Sequence, residues 1–514
     1  MKKIVSLFLA ALLVLGVLAG CNGSSANSDY TDDESKTVTL KIAFPNAKQR
    51  DTDKVVAAIN EKLKDYLPNT EIELMMEPDM ETKWSLWMST KKTIDLAHSG
   101  FINNIEDEVR KDSFCALNDL IDEYAPTLKE LKEKYWYSYD CATIDGELYA
   151  VPNTQAYAKD ALVIDIWSEG APYFDTKAIY TEAITNDKTT EKFWQLWDDG
   201  IQKALTAGVD CTELFTKDVY IIAQRGYNFV GGAGSNLCYD NSDDAKIIDF
   251  FTTDEFKIFC KYMKKWADQG LISEEILTGQ WTSKLYLRQN SSYGLDKETG
   301  IIPLIQGTGT GVRVCITNTD DFKLVRKIGE NYTYWSIPFT SENPVRAIKF
   351  LDLLNSKEGA EIVNMLAYGI EGEHYEFTDK EKGEIKAYEY LGQGDAGSSY
   401  GIPCWEVSNM LEGMYTIAPY DSDMFDWARD YYTNKLNTVE KHILYDFDFD
   451  IEPVKANLSK ILKNNAEYIP SIYCGLSDKS ETLYNELVEK NKQANFADVM
   501  EEMQSQVDEF LSSK

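Results

Sequence analysis

Apolar and polar residues alternate from Val38 to Phe44: Val38, Leu40, Ile42 and Phe44 are separated by Thr39, Lys41 and Ala43, the period of a strand with two differently used faces. Val56, Ile59, Leu63 and Leu67 then recur at helical spacing and stop at Pro68-Asn69. Ile72, Leu74 and Met76 alternate again, Glu81 to Thr90 reads as a second helix, and Ile94 to Ala97 as a short third strand. This β-α-β-α-β order predicts right-handed crossovers, a parallel sheet covered on both faces, and ligands at the carboxyl ends of its strands. His98-Ser99-Gly100-Phe101 lies at such an end.

Further along, Asp145-Gly146 marks a tight turn before the short strand up to Pro152, and Leu162 to Asp165 reads as another strand. A helix-rich stretch runs from about Thr190 to Leu277, and strand signals return at Gly311 to Ile316 and Tyr332 to Pro338. Asn343-Pro344 is a helix start whose buried stripe is Ala347, Leu351 and Leu354. From Pro453 the chain is mainly amphipathic helix, with Phe496, Val499, Met503, Val507 and Phe510 on one face. That stripe is expected to pack on its own domain, in preference to a coiled-coil partner.

The N-terminus supplies an address. Lys2 and Lys3 precede an apolar run, Ile4 to Leu18, sized like the core of a secretory signal and short for a membrane span. Leu18-Ala19-Gly20-Cys21 resembles the bacterial lipobox, in which the cysteine thiol receives diacylglycerol. Residues 1–20 are therefore expected to be a signal peptide and 21–36 a lipidated, disordered tether, polar and poor in apolar residues. The reading places the protein on the extracellular face of the bacterial cell membrane.

With 514 residues, the chain exceeds what one core fills, so two or three lobes are expected. A formal net charge of −33 repels phosphate backbones, which excludes nucleic acid as a partner. Eight cysteines besides Cys21 are scattered without a CxxC pair and read as buried free thiols. His98, His374 and His442 have no metal-ligand spacing, so no metal and no cofactor is expected. Asp448 and Asp450 read as a turn before the Pro453 helix, and Gly307-Thr308-Gly309-Thr310-Gly311 as a flexible loop, because it lacks the Lys-Ser or Lys-Thr of a phosphate loop.

The ordered set of motifs resembles the family 1 extracellular solute-binding proteins of ABC importers, in the long lipoprotein subgroup with a helical C-terminal extension (LipO-like, DUF3502-containing). The resemblance rests on the lipobox, the β-α-β-α-β opening with Ile94-Asp95-Leu96, Leu117 to Pro126, and Gly146 to Asn153. It continues through Tyr334 to Pro338, Ser341 to Leu354, Tyr368 to Tyr375 and Phe447-Asp448-Phe449-Asp450. It implies an α/β, two-lobe periplasmic-binding-protein-like fold (type II) with a hinge, and a solute, expected to be an oligosaccharide, held in the cleft. Lobe one is expected to comprise 37–155 plus 300–385, and lobe two 156–299 plus 386–514. The expected partners are the permease subunits, and the expected state is a monomer.

Sugar sites pair aromatic platforms with hydrogen-bonding side chains. By position, Trp281, Trp335 and Trp405 are the candidate platforms, and His98, Ser99, Asn153, Gln155 and Glu371 the candidate polar contacts. No catalytic residue is identified: among 85 Asp plus Glu residues, nothing singles out the closely spaced pair of a retaining glycosidase. A surface-anchored glycoside hydrolase and a binder of a peptide or other small solute stand as the alternatives.

Overall fold

The computed structural model describes residues 31–156, most of 162–278, short strands between 279 and 332, residues 333–389 and most of 397–514. It opens with β1 (Val38–Phe44), α1 (Thr52–Tyr66), β2 (Thr70–Met76), α2 (Met80–Ser89) and β3 (Leu96–Ser99). β1 pairs in parallel with β2 from Val38↔Thr70 to Phe44↔Met76, and with β3 at Ile42↔Leu96. Alternation on β1 sorts its two faces. Leu40, Ile42 and Phe44 are buried with Val55, Ile59 and Leu63 of α1, whereas Ala43 and Ala97 pack with Met80, Trp84 and Trp87 of α2. The short alanines leave room for the two indoles.

Two further strands, β4 (Val151–Pro152) and β5 (Tyr334–Ser336), complete the sheet in the order β2-β1-β3-β5-β4, with β5 antiparallel to β3 and β4. The chain thus leaves this sheet after Pro152 and returns at Tyr334. β3 runs two residues beyond the strand read from the sequence, so His98 and Ser99 lie inside it, opposite Trp335 and Tyr334.

Away from that sheet, Leu162–Trp167 is flanked by Leu285–Gln289 and Gly311–Ile316 in a four-stranded antiparallel sheet, with Ile301–Pro303 at its edge. Ile301–Pro303 and Gly311–Ile316 therefore share a sheet with Leu162–Trp167. A second core forms around α3 (Lys192–Thr206) and α4 (Asp254–Asp268). Two of its indoles are satisfied by carboxylates, Trp194 donating to Glu255 at 3.0 Å and Trp266 to Asp198 at 3.0 Å, while the indole nitrogen of Trp197 is buried without a partner.

The chain returns to the first core through α5 (Pro344–Leu354), where Ala347, Leu351 and Leu354 are buried, as the helix-start pattern implied. The stretch after residue 386 is shared among cores. Tyr400, Ile402, Val407, Met410 and Tyr445 pack in the first, while the tail helices α6 (Lys455–Tyr473), α7 (Ser480–Gln493) and α8 (Phe496–Ser513) pack in the second and a third. Val499, Met503 and Val507 are buried against Leu237, Tyr239 and Ile461, so the tail stripe does pack on its own chain. Asp450 accepts the Glu452 amide at 3.0 Å just ahead of the short helical turn at Glu452–Val454, and Asp448 lies 3.4 Å from Arg110.

The last residues of the expected tether are docked. Asp32 makes a two-pronged pair with the buried guanidinium of Arg346 on α5, at 2.9 and 3.0 Å, and Lys349 reaches Asp32 at 3.2 Å and Glu34 at 2.6 Å. Burial alone would raise the Asp32 carboxyl, but the bonds from Arg346 and Lys349 outweigh it and hold it below its ordinary value. No helix among the described residues is long and apolar enough to cross a membrane.

Candidate ligand-binding site

The ends of β1, β3 and β4 and the approach to β5 converge on one edge of the first sheet, and the segment 403–410 lies across them. Asn153 donates its amide to Thr333 at 2.8 Å, Thr333 Oγ1 donates to the Trp405 carbonyl at 2.5 Å, and Met410 donates its amide to Thr154 at 2.8 Å. Trp335 Nε1 donates to the Val407 carbonyl at 2.7 Å. Gly100, at a φ of 101°, turns the chain sharply after β3 and leaves Phe101 half exposed, at 49%.

A chain of rings follows this edge. Trp335 meets Phe44 edge-on at 4.9 Å and His98 at 5.7 Å; His98 meets Phe101 at 5.1 Å; Phe101 meets Trp405 at 5.8 Å. Only its outer end can offer a ring to a ligand in this conformation. Trp335 is buried at 1% exposure and its indole nitrogen is engaged, so it offers no open face in this conformation, whereas Phe101 is half exposed and Trp405 half-buried.

Beside the rings lies a band of buried polar groups without protein partners. Both ring nitrogens of His98, the whole side-chain amide of Asn153, Thr154 Oγ1 and Gln155 Oε1 are buried and unpaired, as are both polar atoms of Asn103. Burial pushes His98 down to about 3, so it is neutral at physiological pH, with one donor and one acceptor to offer. Leaving such a group without a hydrogen bond costs about 1–3 kcal/mol, so the band is poised for a polar ligand or water. Glu406 joins it. Burial pushes its carboxyl up to about 7 against a hydrogen bond from Asn46, and Glu406 Oε2 and Asn46 Oδ1 remain unpaired.

The structure thus brings His98, Asn153, Gln155, Trp335 and Trp405 together. Ser99 is in the same place, but its hydroxyl is engaged with Ser336 Oγ at 2.8 Å inside the sheet. Glu371 lies elsewhere, in an exposed turn where Lys380 reaches it at 3.3 Å. Trp281 and Gly307 to Thr310 lie outside the described residues. Sequence reasoning missed Asn46, Phe101, Asn103 and Glu406, although Phe101 ends the quoted His98-Ser99-Gly100-Phe101 run and Glu406 follows Trp405.

No group of three potential metal-ligating side chains occurs among the described residues. Burial pushes the free thiols of Cys260 and Cys474 up to about 12 and that of Cys404 up to about 11, which leaves them unreactive. A shallow hollow of about 730 Å³ between Tyr173, Asp175 and the Asp199 to Thr206 face of α3 is open to solvent, and none of the unpaired buried groups borders it.

Three comparisons bear on this geometry. Residues 443–512 match the model of a domain of unknown function, DUF3502. The chain is 22% identical to a carbohydrate ABC transporter substrate-binding protein of Streptococcus pneumoniae over 97% of its own length and 96% of that relative's. It is 22% identical to the polygalacturonan/rhamnogalacturonan-binding protein YtcQ of Bacillus subtilis, with 75% of each chain covered. Among solved structures, the N-glycan transport solute-binding protein NgtS of S. pneumoniae superposes with a TM-score of 0.64 at 17% identity, covering 92% of this chain and 99% of that one. NgtS also has a structure in complex with Man5GlcNAc. The chain accordingly has the two-lobe α/β fold of ABC-transporter solute-binding proteins, and its final helices carry the match to DUF3502.

Proposed function

We propose that this chain is the capture subunit of an ABC importer, binding an oligosaccharide in the cleft between its lobes and delivering it to membrane permease subunits. The observation that carries the reading is the strand-end band: partnerless amides and a neutral imidazole beside the exposed face of Phe101 and the half-buried Trp405. A sugar ring presents an apolar face to such aromatics, and its hydroxyls complete the valences of buried amides. The relatives that bind carbohydrate, and the NgtS complexes with glycans, point the same way.

Closure is then a hinge motion in which a ligand touching both lobes shifts the population toward the closed form. The paired segments Lys323–Leu324 and Glu440–Lys441 are the candidate hinge strands. The reading assigns the chain no catalytic step. Cys21 would carry the lipid that holds it at the extracellular face. With Asp32 clasped to α5, eleven residues of tether remain, a reach of about 35–40 Å.

The experiment is calorimetry and thermal shift of the chain from Asn22 onward with neutral and acidic oligosaccharides, peptides and polyamines. The reading expects saturable one-to-one binding of a glycan with a raised Tm and no product. Release of shortened sugar would favour a hydrolase, and a shift with peptide alone would favour the peptide reading.

A further inference from the structure

Two further buried acceptor atoms without a donor belong to Glu406 and Asn46. Glu406 lies between Trp405, whose ring touches Phe101, and Val407, whose carbonyl holds Trp335. Asn46 lies two residues beyond Phe44, the ring on the other side of Trp335. Asn46 hydrogen-bonds the carboxyl of Glu406, yet Glu406 Oε2 and Asn46 Oδ1 both remain without a donor, in residues only 4% and 5% exposed. With Glu406 ionised, the two acceptors call for donor hydrogens from outside the protein.

The surrounding charges do not offset the carboxyl. Lys48 turns to Asp53 at 2.7 Å, Arg50 lies 3.7 Å from both Asp51 and Glu389, and His98 is neutral. An anionic ligand group placed here would meet a buried carboxylate with no neighbouring cation among the described residues to balance it.

We propose that Glu406 and Asn46 form an acceptor clamp that takes two neighbouring hydroxyls of a neutral sugar and rejects sugars bearing carboxylates. This rests on the saccharide reading and narrows it: of the two ligand classes named for the relatives, the neutral glycan fits and the galacturonan does not. Hydroxyls donating to Glu406 favour its ionised form, so binding draws the carboxyl toward deprotonation.

The test is calorimetry with Man5GlcNAc, other neutral oligosaccharides and trigalacturonate, from pH 6 to 8, on the wild type, Glu406→Gln and Asn46→Ala. The wild type is expected to bind a neutral glycan, more tightly as pH rises through 7, and to bind trigalacturonate at least tenfold more weakly. In Glu406→Gln the neutral glycan should lose roughly tenfold or more in affinity together with its pH dependence, because a bond to a charged acceptor becomes a bond to a neutral one. The preference against trigalacturonate should narrow. Asn46→Ala should weaken the neutral glycan while leaving that preference in place, which gives a second route if one variant folds poorly. If the wild type binds no saccharide, the saccharide reading fails and this inference with it. If it binds a neutral glycan and Glu406→Gln changes neither affinity nor pH profile, or if it prefers trigalacturonate, the clamp alone is overturned.

Discussion

Replacing Trp335 and Phe101 separately by alanine should split stability from binding. Trp335 is 1% exposed, sits between Phe44 and His98, and donates its indole proton to Val407. Truncating a buried Trp costs about 3–5 kcal/mol through lost transfer and the cavity left behind, and here it also orphans a carbonyl on the 403–410 segment. For a lobe of about 200 residues, each kcal/mol moves Tm by about 2–4 °C, so Trp335→Ala should lower Tm by about 6–20 °C. Phe101 is 49% exposed, and its removal should cost well under 1 kcal/mol of stability. It should nevertheless weaken a stacked sugar by about 1 kcal/mol, roughly fivefold in Kd. Thermal unfolding and calorimetry on the two variants read both quantities. A Trp335→Ala protein with unchanged Tm and weakened binding would refute this assignment and return the platform role to Trp335.

Three further outcomes follow from buried charges. Asp32→Asn leaves Arg346 short of its carboxylate and should cost about 2–3 kcal/mol, less than a fully buried pair because Arg346 keeps its hydrogen bonds to the Asn69 carbonyl and Thr70 Oγ1, both at 2.8 Å; hydrogen exchange should show residues 31–36 losing protection. Because His98 is held down to about 3 when folded, the unfolded chain alone takes up a proton below its ordinary value of 6.5. The fold should therefore lose about 2 kcal/mol by pH 5, and His98→Phe should remove that loss in denaturant titrations at pH 7 and pH 5. Burial and the neighbouring Asp448 push Glu106 up to about 7 despite Arg110. The folded chain thus keeps a proton that the unfolded chain releases, and this stabilisation fades as pH rises from about 4.5 to 7. Glu106→Gln should flatten that slope in Tm-versus-pH curves.

The opening of the fold was legible because its two periods are clean. Alternation in Val38 to Phe44 and the helical recurrence of Ile59 and Leu63 have one burial solution, and β1 and α1 adopt it. What could not be read was long-range pairing. Nothing local in Gly311 to Ile316 says that it pairs with Leu162–Trp167, and nothing around Tyr400, Val407 or Tyr445 says that they fill the first core.

The same limit governs the site. His98, Asn153 and Trp405 could be named as candidates because strand ends and motif positions point to them, whereas Glu406 gains its partner Asn46 only when distant segments meet. The burial of Trp335 was not legible for a related reason. An aromatic at a strand end can face the core or the cleft, and register alone decides: pairing with His98 and Val151 sets it inside. Asp32 docks because Arg346, far along the chain, offers a buried guanidinium.

Titrating a neutral oligosaccharide into wild type, Asn153→Ala and Phe101→Ala in parallel puts the strand-end edge itself on trial. The account predicts one site per chain in the wild type, with affinity falling in both variants while their unfolding temperatures stay near that of the parent. Glycan binding that neither substitution disturbs would place the ligand elsewhere on the molecule and contradict it.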